Sequence, residues 1–177
     1  MPKPTLAHFK KHIAALSEED LRMELLKLFI SVKEVPAFYA IGTQTPAEAA
    51  KAVKDLKAKI YKQFWTPSGN PRNISNATLR KDILAFEKSG AAPADLLDVL
   101  IYRVEMMTQY ADEYGGSSDG DYNAASNAFD KAMELAHTHN LMTPEIKVRC
   151  QTMFKADNSD YWYTDLLEVA FEKHFDV

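Results

Sequence analysis

The chain has 177 residues, 46% of them apolar and 26% charged, with six glycines and eight prolines. That is the make-up of an ordinary globular protein, and it excludes collagen-like or low-complexity character. The net charge is −4 but uneven: residues 1–90 carry 15 Lys/Arg against 9 Asp/Glu, and residues 91–177 carry 6 against 16.

Cys150 is the one cysteine, so an intramolecular disulfide is excluded and nothing points to an oxidising compartment. The start, Met1-Pro-Lys-Pro-Thr-Leu-Ala-His-Phe-Lys-Lys, lacks the apolar run of a secretory signal. No stretch approaches the roughly 18–20 apolar residues that span a bilayer. The expectation is a soluble cytoplasmic protein, without membrane contact.

Thr5 caps a first helix, Leu6 to about Leu16, with Leu6, Phe9, Ile13 and Leu16 inward. Ser17-Glu18-Glu19-Asp20 starts a second, a serine cap with acids in the first turn, running to about Val32. Its expected core residues are Leu21, Leu25, Leu28, Phe29 and Val32. The stretch from Pro36 to Ile41 has room for one or two helical turns. Thr45-Pro46 opens a third helix, with Ala49, Val53, Leu56, Ile60 and Phe64 on its stripe.

Residues 66–76 hold two prolines, a glycine and three asparagines and read as a loop, with Asn76 capping a helix to Lys88. Pro93 to Gly115 is the central helix. Leu96, Leu97, Leu100, Ile101, Val104, Met107 and Ala111 recur at three- and four-residue spacing, and Val99, Tyr102, Met106 and Tyr110 widen that face past half the circumference. A helix so broadly apolar must be covered on several sides. After a polar loop at 115–121, Asp121 or Tyr122 begins a sixth helix, to about Asn140. Thr143-Pro144 begins a seventh, to about Phe154. Asp157 to Asp160 is a turn, and a final helix carries Trp162, Leu166, Leu167, Val169, Ala170 and Phe171. No segment alternates strictly, so no strand is expected. The fold class is all-α: one domain, 1–177, of seven or eight helices packed as successive antiparallel pairs, with or without a superhelical curve.

Chemistry is hard to find. Asp119, Asp121, Asn123, Asn127 and Asp130 fall at ligand positions of a calcium loop, but Ala124 stands where that loop needs glycine, and helix competes from Asn123 onward. His137 and His139 point apart on a helix. His8 and His12 share a face without a third ligand nearby. Cys150 lacks a neighbouring base, and there is no phosphate loop or nucleophile elbow. No cofactor, metal or catalytic residue is assigned.

Lys51, Lys54, Lys59 and Lys62 form a stripe on the third helix, continued by Arg72, Arg80, Lys81 and Lys88, with Tyr61, Phe64 and Trp65 as stacking surface. Lys51, Lys54, Lys59, Lys62 and Arg72 are therefore the candidate interaction surface. Ala125, Phe129, Ala132 and Ala136 imitate the second helix of a tetratricopeptide repeat. The first-helix landmarks and any 34-residue repeat are missing, so the spacing denotes close helix packing.

Asp95-Leu-Leu-Asp-Val-Leu-Ile-Tyr-Arg-Val-Glu105, Glu113-Tyr-Gly115, Tyr122-Asn123 and Phe129-Asp-Lys-Ala132 resemble successive landmarks of a family of uncharacterised bacterial proteins, a domain of unknown function. Leu16-Ser-Glu-Glu-Asp-Leu21, Trp162 and Asp165-Leu166 fit the same pattern. The resemblance implies a single all-helical domain and brings no reaction or cofactor. The expectation is a non-enzymatic scaffold or protein-interaction domain of a bacterial cytoplasmic protein, binding a protein partner or a second copy of itself. The alternative is polyanion binding through the basic third helix, which the acidic net charge disfavours for nucleic acid.

Overall fold

The computed structural model describes residues 5–40, 44–156 and 161–175. Among them are nine helices and no strand: α1 Leu6–Ala14, α2 Glu18–Ser31, α3 Glu34–Phe38, α4 Pro46–Phe64, α5 Asn76–Lys88, α6 Pro93–Tyr114, α7 Asp119–Thr138, α8 Pro144–Phe154 and α9 Tyr161–Glu172. The chain falls into two compact units, residues 1–40 and 41–177. The turn expected at Asp157–Asp160 lies outside the described residues.

The helix starts follow from local chemistry. Thr45 and Glu48 form a reciprocal capping box, the Thr45 hydroxyl taking the Glu48 N–H while the Glu48 carboxylate takes the Thr45 N–H at 2.8 Å. Thr5, Ser17 and Thr143 cap α1, α2 and α8 as expected. Two starts shift slightly. Ser75, not Asn76, caps α5, and Ser118 caps α7, which therefore begins at Asp119 and not at Asp121 or Tyr122. Gly115 stops α6 at φ +74°, a left-handed conformation that suits glycine.

In the 41–177 unit, α6 is the centre. Eleven of its residues are buried, among them Leu97, Leu100, Ile101 and Val104, and it packs against α4, α5, α7 and α8. Its longest partner is α7, whose Ala125, Ala128, Ala132 and Ala136 are all buried and let the two backbones approach closely. That is the small-residue spacing visible in the sequence. From α4 come Val53, Leu56, Ile60 and Phe64, and from α9 Tyr163, Leu167, Ala170 and Phe171. Val169 and Trp162, also on that final helix, are exposed by 63% and 38%. The loop after α4 is pinned to α6, since the Tyr114 hydroxyl donates to the Gly69 carbonyl at 2.8 Å and the Tyr110 hydroxyl to the Arg72 carbonyl at 3.3 Å.

An ion network holds α8 on α6. Arg149 forks onto Glu105 at 2.6 and 2.8 Å and onto Asp98 at 2.7 Å, and Lys57 of α4 reaches Asp98 at 2.6 Å while lying over the Tyr102 ring. No helix among the described residues is long and apolar enough to cross a membrane.

Candidate interaction surface

The unit at residues 1–40 departs most from expectation. Neither α1, α2 nor α3 contains a buried residue. Leu6, Phe9, Leu21, Leu25, Leu28, Phe29 and Val32, expected in a core, are each exposed by a third or more; Ile13 and Leu16 are half-buried. The reason is geometric. His12 of α1 bonds Glu24 of α2 at 3.1 Å, and the two helices make little other contact, so neither lays its apolar face along the other. About forty residues also cannot enclose a core of their own.

The apolar surface is broad. Leu21, Met23, Leu25, Leu26, Leu28, Phe29, Ile30 and Val32 of α2 and its cap are all exposed. At about 100° per residue they sweep roughly 220° of the helix. Ile30, at 82% exposed, shows that the unit covers neither side of α2. Glu18, Glu19 and Asp20 fill the first turn of this helix, Arg22, Glu24 and Lys27 lie along it, and Lys33 follows its cap.

The basic stripe occupies the outer side of α4. Lys51, Lys54, Lys59, Lys62 and Arg72 are all exposed. Folding brings Arg72 beside the end of α4, where its Nη1 donates to the Lys62 carbonyl at 2.8 Å and its backbone N–H to the Phe64 carbonyl at 2.8 Å. The stacking surface expected beside the stripe is mostly inside. Phe64 and Trp65 are buried at 1% and 2% exposed, leaving Tyr61, stacked on Trp65 at 5.0 Å, as the accessible ring. Asp55 interrupts the stripe, and Lys59 shares a shallow hollow with Asp55 and Asp82. Lys57 faces the other way, into the Asp98 network, which the 100° spacing of its neighbours does not reveal.

The remaining sequence candidates are structural. Asp119 to Asp130 is helix, so its oxygen-bearing side chains radiate around α7 instead of converging. Asp121 accepts from Asn76 at 2.6 Å, Ser118 at 2.6 Å and Ser117 at 2.8 Å; burial raises its pKa, but these bonds outweigh it and hold the carboxyl below its ordinary value. Asp130 is bonded by Lys173 and His174. Burial pushes the Cys150 thiol up to about 12, which leaves it an inert packing group at neutral pH. Among the described residues no three His, Cys, Asp or Glu side chains could hold a metal ion.

No curated protein and no solved structure matches the chain. A family of unknown function, DUF6155, matches residues 5–174, nearly the whole length and both units. The chain belongs to that family.

Proposed function

We propose that this protein is a non-enzymatic interaction domain of the bacterial cytoplasm that self-associates through α2. The observation that carries the reading is an apolar helix that its own unit leaves uncovered. Twelve large apolar side chains of the 1–40 unit are exposed. At roughly 200 Å² per side chain their exposed fractions amount to about 1,200 Å², and a stable interface needs about 800 Å² from each partner.

A second copy is the occupant that the charges fit. Residues 5–40 carry five Lys/Arg and five Asp/Glu, so two copies meet without net repulsion. Antiparallel pairing of α2 about Leu25 and Leu26 sets Glu18 against Lys33 and Glu24 against Lys27 of the other copy, twice by symmetry. The same register lays Leu21 against Ile30.

Sedimentation of the full chain at tens of micromolar should show a dimer, and Leu25→Asp with Ile30→Asp should convert it to monomer without lowering the melting temperature of the 41–177 unit. A monomeric parent, or a double variant that stays assembled, overturns the reading. The second reading, polyanion binding by α4, draws on the exposure of all five basic side chains. Salt-sensitive binding of a random single-stranded oligonucleotide near 0.15 M salt, lost on changing Lys54 and Lys62 to Glu, would favour it instead.

A further inference from the structure

Helices α5 and α7 both flank α6 and leave between them a cleft of about 610 Å³, within the size range of small-molecule sites. Two polar bridges tie its walls. Asn76 donates to Asp121 at 2.6 Å where both helices begin, and Lys131 donates to Glu87 at 2.6 Å eleven residues further along α5. Eleven residues of helix set these bridges about 16 Å apart. Arg80 and Asn127 enter from the walls, and Arg103 enters from the floor. Beyond them the lining turns apolar, with Ile83, Leu84, Leu100 and Ala128.

Arg103 is the unusual group. It is 7% exposed, and burial lowers the pKa of its guanidinium, which nonetheless stays protonated. Among the described residues one of its five N–H donors finds an acceptor: Nη2 donates to Asn76 Oδ1 at 3.1 Å. Among the described residues no carboxylate comes within ion-pair distance of it. Asp121 acts on it only from further off and is itself occupied by Asn76 and two serines. The other nitrogens of Arg103 are not among the buried unpartnered atoms, so they open onto the cleft, where an anion can take the place of water. Arg80 adds a second positive charge, and the amino-terminal ends of α5 and α7 add their dipoles at the same end of the cleft. Glu87, the acid in the lining, is neutralised by Lys131.

We propose that this cleft binds a small amphiphilic anion, an oxyanion headgroup held by Arg103 and Arg80 and an apolar body laid along Ile83, Leu84, Leu100 and Ala128. A guanidinium matches the two oxygens of a carboxylate or a phosphate with parallel bonds, and Asn127 offers an amide donor to the same group. The bridge between Glu87 and Lys131 closes the far end and limits the length of the apolar body. This site is independent of the surface on α2.

Calorimetric titration and thermal melts of the full chain with octanoate, octyl phosphate, octanol and inorganic phosphate test it. Octanoate or octyl phosphate should bind one site per chain and raise the melting temperature, and the stronger of the two identifies the headgroup. Octanol and inorganic phosphate, each lacking one half of the match, should bind at least about tenfold more weakly. Arg103→Gln should abolish binding. Because that change sits in the core, two further variants carry the test without depending on it. Arg80→Ala, at an exposed position, should weaken the anion about tenfold, and Ala124→Leu should block it by filling the cleft. Absence of binding by both anions at millimolar concentration overturns the proposal. So does octanol binding as well as octanoate, or binding undiminished in both Arg80→Ala and Ala124→Leu.

Discussion

Cutting Phe129 back to alanine is expected to destabilise the 41–177 unit by about 3–5 kcal/mol, a drop in melting temperature on the order of 10 °C. Phe129 is fully buried on α7, edge-on to Phe154 of α8 at 6.0 Å. Its neighbours along the helix face are Ala125, Ala128, Ala132 and Ala136, which already hold the backbones of α6 and α7 close. Alanines have no side chain to swing into a void, and helices in contact cannot approach further. The cavity therefore stays open, which places the cost toward the upper part of the range for such deletions. Val169→Ala is the control: that side chain is 63% exposed, and its loss should change stability by less than about 0.5 kcal/mol. Urea unfolding of both variants measures the difference. Equal midpoints would mean that α7 is not packed on α6 as described.

Periodicity located nearly every helix because it reports which residues share a face. Thr45-Pro46 and Thr143-Pro144 marked two starts to the residue, since a capping hydroxyl followed by proline has few other uses. Asp121 misled because aspartate is as good a cap as serine, and here Ser118 reaches the N–H of Asp121 first, with Asp119 and Asp121 then stabilising the first turn. Leu25 and Phe29 show the deeper limit. Their spacing marks a common face correctly, yet a face does not say what covers it, and in the 1–40 unit nothing does. Cleft residues were illegible for another reason: Asn76, Arg103 and Asp121 are joined across 27 and 45 positions of sequence. One signal was present. Arg103 is the lone cation between Leu96 and Ala111, set among Leu100, Ile101, Val104 and Met107, and a charge on a face that must be buried asks for a partner. Arg149 gave no such sign, because α8 is short and polar, and its role rests wholly on meeting Asp98 and Glu105 from 51 and 44 positions away.

Removal of that arginine is the second large effect. Helix α8 buries only Cys150 and Met153, so the fork of Arg149 onto Glu105 and Asp98 is a main tether of α8 to α6. The three side chains are a quarter to a third exposed, which puts the network between a surface pair and a buried one. Arg149→Ala should therefore cost about 2–3 kcal/mol, less than a fully buried pair and well above an exposed one. Arg149→Lys should recover less than half, because an ammonium cannot bond both oxygens of Glu105 while reaching Asp98. The network also sets a pH signature. Burial raises the Asp98 pKa, but hydrogen bonds and charge from Lys57 and Arg149 outweigh it and hold the folded value below the ordinary one near 3.9. A carboxyl depressed on folding stabilises above its unfolded pKa, and that contribution is lost as pH falls through the folded value. The parent should hold its stability down to about pH 4 and lose it below. In Arg149→Ala, Asp98 keeps only Lys57 against the effect of its burial, so it titrates higher and the loss begins at a higher pH than in the parent. Denaturant melts of parent and variant from pH 7 to pH 3 would show the variant losing stability first as the pH is lowered, and curves that stay parallel throughout would mean Arg149 does not govern the ionisation of Asp98.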